Sequence, residues 1–225
     1  MASKTVWGVA LLTGVLTVSG TARAVAAECP KPPRHSVSVR VTTAVARTEY
    51  RYDLSTSEIG RLARQEEALS HNRGTMLGLT RSGFDLQLST THSVVRTGGG
   101  ACLWIGTIEA KLKIPAMTVY VSSNYKPGSC EHRAILEHEN SHVERTTALL
   151  RPYARRLDRE LNAVVARLNP VVGRDARRAE KEMMEALQAR VDEVMAGLER
   201  ERARVNDQLD TEESYRRTAA RCRSW

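Results

Sequence analysis

The pentad His138-Glu139-Asn140-Ser141-His142 lies inside a long helical pattern that runs from residue 131 to residue 168. Residues four apart share one face of an α-helix, so both imidazoles can reach the same ion. Glu139 stands one step round the helix, where it could take a proton from a water on that ion. The pattern H-E-x-x-H therefore predicts a zinc centre with His138 and His142 as ligands and Glu139 as the general base.

The neighbours of the pentad fit such a helix only in part. Leu136 and Val143 are uncharged, as residues beside a metal pair usually are, whereas Glu144 is charged where an apolar residue is usual. Val143, Glu144 and Arg145 come directly after His142, without the glycine and third histidine of the extended motif, so that extension is missing. The alternative is two solvated histidines and a glutamate on a charged helix.

Outward from the pentad, the second half of the chain is typical of two long helices joined by a turn at residues 169–173. Pro152 is expected to kink the first helix, and the second runs from residue 174 to about residue 209. Steps of three and four between apolar residues predict an antiparallel coiled-coil hairpin. Its two stripes are Leu149, Tyr153, Leu157, Leu161, Val164 and Leu168, and Met184, Leu187, Val191, Val194, Leu198, Val205 and Leu209.

The hairpin also predicts which residues lie opposite the pentad. With a turn centred near residue 171 and an equal rise in both helices, residue 140 should face residue 202. Glu201 interrupts the apolar stripe at that level, and an inward carboxylate there needs a positive partner. Zinc or Arg145 would supply it, so Glu201 is either a candidate ligand or a salt-bridged residue.

The first half of the chain has the shorter, alternating patterns of strands. Strands are predicted at residues 36–45, 75–79, 84–93, 101–108 and 112–121, and a helix at 55–70. Residues 50–52 are expected either to continue the first strand or to pair with it. The prediction is an α+β fold, in which a small, mainly antiparallel sheet with one helix (28–128) precedes the helical region (129–225). We expect residues 28–225 to form one domain.

The first 27 residues are typical of a secretory signal peptide. Lys4 precedes an apolar run at residues 6–20, and small residues at 24–27 suit cleavage. An uncleaved anchor is the alternative, although the run is short for a span of about 20 residues. Glu28 before Cys29 argues against a lipoprotein signal. The protein is therefore expected to be exported to the periplasm or beyond, with no stable membrane span after cleavage.

Four cysteines remain in the cleaved chain, at positions 29, 102, 130 and 222. An even number after a signal peptide predicts two disulfides in an oxidising compartment. Of the three pairings, we favour Cys102–Cys130 with Cys29–Cys222. A cysteine-rich zinc site is the competing use, but no C-x-x-C spacing supports it.

The formal charge of +8 falls to +6 once Lys4 and Arg23 are removed with the signal peptide. Arginine alternates with glutamate along the helices, which is typical of solvated faces. Aromatic residues make up 4% of the chain, so platforms for stacking bases are scarce. We therefore expect no nucleic-acid partner.

The order of these features resembles a bacterial family of unknown function described as predicted secreted zinc-dependent proteases, which are zincin-like. The residues that carry the resemblance are the segment 52–57, Cys102, Ile114-Pro115, the pentad, and the tail segment 209–215. It covers roughly residues 36–215. The resemblance implies a hydrolase that uses zinc, with a peptide or protein as its substrate.

The tail departs from the family pattern, because Tyr215 and Arg216 stand where the family carries His-Gly. If that histidine completes the metal site elsewhere, another residue must do so here. Asp210 matches the family's aspartate and is the first candidate for third ligand, followed by Glu213 and Glu201. Asp210 could instead cap the final short helix.

Two classes of function follow from the sequence. One is an exported zinc metallopeptidase, or a related hydrolase of peptidoglycan or small amides, that uses metal-activated water. The other is a non-catalytic envelope protein in which the hairpin is a docking arm and the pentad is vestigial or binds a structural ion.

Overall fold

The computed structural model describes residues 29–31, 37–65 and 76–225. The predicted signal peptide lies outside the described residues, as do parts of the first predicted strand and helix. The observed elements are α+β, in the order β1 (Ser38–Val45), β2 (Thr48–Arg51), α1 (Thr56–Gln65), β3 (Gly78–Ser82), β4 (Asp85–Thr97), β5 (Gly100–Ile114), β6 (Met117–Val121), α2 (Cys130–Ala148), α3 (Leu150–Leu168), β7 (Val171–Gly173), α4 (Ala176–Asp207) and α5 (Glu212–Ala219).

The strands form two mixed sheets, whereas the sequence predicted one mainly antiparallel sheet. The first has the order β1-β5-β4, with β7 paired to β5, and the second has the order β2-β6-β3. β1 runs parallel to β5 and β2 runs parallel to β6, while the remaining pairs are antiparallel. Alternation within a strand predicts which face is buried, but it does not say which strand lies beside it.

Pro115 divides the region that the sequence predicted as one strand at residues 112–121. β5 ends at Ile114 and β6 begins at Met117. Proline has no N–H to donate to a ladder, so the chain leaves the first sheet there and enters the second.

The first sheet packs against α3 and α4, and this contact forms the main core. Its members come from β5, from both helices and from β7: Leu103, Ile105, Ile108, Ala110, Leu157, Leu161, Val164, Val171, Ala179, Met183, Leu187, Val191 and Val194. The stripe of the second helix includes Met183 rather than the predicted Met184, which is 39% exposed. The helical pair is therefore a layer laid on the sheet rather than an arm that projects from it.

The bend predicted at Pro152 is present. α2 ends at Ala148, and α3 begins at Leu150, which places Pro152 in the first turn of α3. A proline costs little there because the first N–H groups of a helix have no partner within it.

The second sheet lies between two helices. Leu79 and Tyr120 pack on Ile59 of α1, on one face. Val119 and Val121 pack on Ile135 of α2, on the other. β3 at the edge of this sheet therefore runs beside the helix that carries the pentad. No helix in the described parts of the chain combines the length and apolarity needed to cross a membrane.

Candidate metal centre

Two helix segments bring the site together. α2 begins at Cys130, and its N-cap Ser129 accepts a hydrogen bond from the backbone N–H of His132. The pentad follows within the helix, and α4 returns antiparallel to α3 so that its end lies beside α2. Asp210 lies just beyond α4, in the turn before α5, where its backbone N–H donates to the carbonyl of Asn206.

The site is a nearly equilateral triangle of three donor atoms. The Nε2 atoms of His138 and His142 lie 3.3 Å apart. Each of them lies 3.2 Å from Oδ1 of Asp210. All three residues are largely buried, and the group could hold a metal ion.

Further hydrogen bonds orient this triangle. Nδ1 of His142 lies 3.0 Å from Oδ1 of Asn206, so an N–H at Nδ1 would leave the lone pair of Nε2 directed at the triangle. The hydroxyl of Tyr215 donates to Oδ1 of Asp210 over 2.7 Å, and its ring lies 5.5 Å from that of His138. Such outer partners fix the direction of a metal ligand and tune its basicity.

In the triangle, the carboxylate of Asp210 and the imidazole of His142 shift each other's pKa. Burial alone would raise the pKa of Asp210, but hydrogen bonds with His138 and His142 lower it below its usual range. Burial alone would lower the pKa of His142, but the hydrogen bond with Asp210 and the charges of Asp210 and Glu139 raise it to about 9. In the absence of a metal ion, a proton therefore takes the place of the cation.

Glu139 is a buried carboxylate beside the triangle. It is 5% exposed. Its burial raises the pKa, although His142, His138 and a hydrogen bond from Thr80 oppose that shift. The Thr80 hydroxyl is 2.8 Å from Oε2 of Glu139 and 3.1 Å from its backbone carbonyl. Gly78 allows β3 to approach this closely, since a Cβ there would lie 2.5 Å from Oε1 of Glu139.

A cavity of about 360 Å³ opens onto the triangle. Five consecutive residues of the chain, 76–80, line one side of it, and α2, the end of α4 and the α5 region line the others. Side chains alternate between the faces of a strand, so consecutive lining residues mean that the cavity runs along the edge of β3.

The structure brings together His138, His142 and Asp210 and leaves the other candidate ligands outside. Glu201 bonds to Arg204. Glu213 is 59% exposed and bonds to Arg216 and Arg217. The cap of α5 is Thr211, whose side chain accepts from the N–H of Ser214, so Asp210 does not have that role. The role of the triangle as ligands stays a prediction.

The prediction that residue 202 lies opposite residue 140 of the pentad is wrong. The Tyr153 hydroxyl donates to the carbonyl of Gly197, and Arg156 bonds to Glu193, so the hairpin is centred on residue 175 rather than 171. The connection between α3 and α4 contains β7, which pairs with β5. The turn between the helices is therefore displaced toward α4. The shift moves Glu201 away from the pentad and brings Asp210 to it.

Sequence reasoning did not single out Asn206, Thr80 or Gly78. For Asn206 a signal was present, because Asn206 and Asp210 are four apart at the end of a helix, as His138 and His142 are on theirs. Thr80 and Gly78 had no such signal, since only the packing of β3 on α2 brings them to Glu139.

The four cysteines form two disulfides, as predicted, but their pairing differs from the favoured one. The bonds are Cys29–Cys102 and Cys130–Cys222, so the favoured Cys102–Cys130 and Cys29–Cys222 pairing is wrong. The antiparallel return of α4 brings the segment after α5 beside the first turn of α2, and Cys130 lies in that turn. Two disulfides fit an oxidising compartment.

A comparison of the chain with protein-family models, with curated proteins and with solved structures finds no match. The support for the family resemblance is therefore the His–His–Asp group alone, which is compatible with a zincin-like site. The class defined by the fold and the site is an α+β protein with disulfides and a possible metal centre.

Proposed function

We propose that this protein is an exported zinc-dependent hydrolase of amide bonds, a metallopeptidase-like enzyme that acts on peptides or proteins. The observation that carries the proposal is the buried carboxylate of Glu139 beside the triangle of His138, His142 and Asp210. Ligands alone would suit a structural ion. A raised pKa in a neighbouring carboxylate is what a general base working near neutral pH requires.

Zinc suits the three donors in type and spacing. Two imidazole nitrogens and a carboxylate oxygen are donors that zinc accepts, and three protein ligands leave a fourth position open. A tetrahedron with corners about 2.0 Å from its centre has edges of about 3.3 Å. The observed separations are 3.2, 3.2 and 3.3 Å.

Zinc held by His138, His142 and Asp210 would act as a Lewis acid and would lower the pKa of a bound water toward neutrality. Glu139 takes the proton of the attacking water and passes it to the leaving amine. Thr80 holds the Glu139 carboxylate in place, and Asn206 and Tyr215 hold His142 and Asp210. In the proposal these residues position the general base and the metal ligands.

An extended peptide is the substrate that the cleft favours. β3 is the last strand in the order β2-β6-β3, and the cavity runs along it past Glu139. A strand edge offers backbone donors and acceptors to an added chain. This favours a peptide over a small isolated amide.

The test is metal content and turnover of the oxidised protein lacking residues 1–27. We expect about one zinc per chain, lost in the His138→Ala variant. Glu139→Gln should retain the zinc and lose peptide hydrolysis, while Glu144→Gln, the same change at an exposed position of the same helix, should retain both. A structural ion in a non-catalytic envelope protein predicts instead that zinc is present without any hydrolysis.

A further inference from the structure

The cavity extends beyond the metal group, and its character changes there. Among the described lining residues, the acidic and imidazole side chains are His138, Glu139, His142 and Asp210, and three of these form the triangle. The remaining lining includes Met76 and Leu77 before and at the start of β3, Ile135 of α2, and Ala219 and Trp225 at the tail. Among the residues that the structure describes (29–31, 37–65 and 76–225), no lysine or arginine lines it.

Trp225 provides a large apolar surface in this second part. It is 43% exposed although it lines the cavity, so the described residues cover only part of it. An exposed aromatic side chain at the wall of a cavity favours an apolar ligand.

Several contacts hold that wall in place. The Trp225 indole N–H donates to the carbonyl of Ala219 over 2.7 Å, and the ring packs edge-on to Tyr125. The disulfide Cys130–Cys222 joins the same segment to the first turn of α2. The wall is therefore preformed rather than assembled by a ligand, which reduces the cost of binding.

We infer that this second part of the cavity is a side-chain pocket that selects peptides with a large apolar residue, such as leucine or phenylalanine, next to the cleaved bond. The inference rests on the proposed function. A charged side chain would lose its water against the described apolar lining, whereas an apolar side chain gains by burial against Ile135 and Trp225.

The experiment measures binding rather than turnover. The probes are the N-acetylated hydroxamates of leucine, glycine and aspartate, titrated calorimetrically into the zinc-loaded protein. The hydroxamate group is common to all three, so their differences report the side chain. The leucine compound should bind at least about tenfold more tightly than either of the others.

Two variants of the tail test the location of the pocket. Trp225→Ala removes a wall and should reduce the preference for leucine over glycine severalfold. Ala219→Phe adds volume at an exposed residue and should weaken the leucine compound while leaving the glycine compound unchanged. Met184→Ala, on an exposed part of α4, is the control and should change neither.

The outcomes separate this inference from the proposed function. Equal binding of the three hydroxamates, or a preference that survives both tail variants, overturns the pocket while leaving the zinc chemistry intact. Failure of all three to bind the zinc-loaded protein overturns the pocket together with the open coordination position that the proposed hydrolysis needs.

Discussion

His142 is the residue for which protons and a metal ion would compete. Asp210 and Glu139 outweigh the effect of burial and raise its pKa to about 9 in the metal-free protein. A metal ligand must present a neutral imidazole nitrogen, so an ion that binds near neutral pH has to displace the proton. The same negative surroundings that favour the proton also favour a divalent cation.

We expect zinc binding near neutral pH to release about one proton per ion from His142, and the apparent affinity to rise with pH up to about 9. Calorimetry in two buffers with different ionisation enthalpies counts the protons released. Identical apparent heats in both buffers would contradict the prediction, because no proton would then have moved.

The free energy of unfolding of the metal-free protein should depend on pH through the ionisation of His142. Because the folded pKa of about 9 lies above the ordinary 6.5, charged His142 contributes stability fully below pH 6.5 and loses it as the pH rises through 9. The pKa of Asp210 is lowered, so its charged form also contributes stability, but this contribution is lost as the pH falls. In denaturant titrations, His142→Asn should abolish the alkaline loss.

At the scale of elements, the approach of β3 to α2 decides the shape of the site. Glu139 lies between the helix and the strand, and Thr80 reaches it only because Gly78 has no side chain. A Cβ at position 78 would also lie 2.7 Å from Cγ2 of Ile135. Both neighbours are buried, so neither can move aside freely.

Gly78→Ala should therefore destabilise the protein by about 1–3 kcal/mol through overpacking and should also reduce hydrolysis by displacing Glu139. Chemical denaturation and turnover measure the two effects. Gly83→Ala is the matched control, because a Cβ there would meet nothing within 4 Å. A Gly78→Ala protein as stable and active as the Gly83→Ala protein would show that the strand does not constrain Glu139.

The sequence predicted the helical elements well because their information is local. Apolar steps of three and four and the proline at 152 define α2, α3 and α4 closely. What it missed depends on contacts distant in sequence. The pairing of β7 with β5 shifts the centre of the hairpin. The prediction therefore placed Glu201 opposite the pentad, whereas Asp210 lies there. The parallel pairs and the disulfide partners have the same non-local origin.

At the scale of the whole molecule, the paired helices α3 and α4 form one side of the core. Leu187 is 0% exposed and belongs to the cluster that joins both helices to β5. The end of α4 then reaches the pentad, so the core that fixes the helix on the sheet also sets the position of Asn206 and Asp210. The long helices thus position the site rather than extend away from it.

Leu187→Ala should accordingly cost about 2–5 kcal/mol in the free energy of unfolding, because it leaves a cavity between sheet and helix. Met184→Ala, on the exposed side of the same helix, should cost at most about 0.5 kcal/mol. Denaturant unfolding of the two metal-free variants measures the difference. Small and equal losses would mean that α4 belongs to an independent docking arm, and Asp210 would then have no fixed place beside His138 and His142.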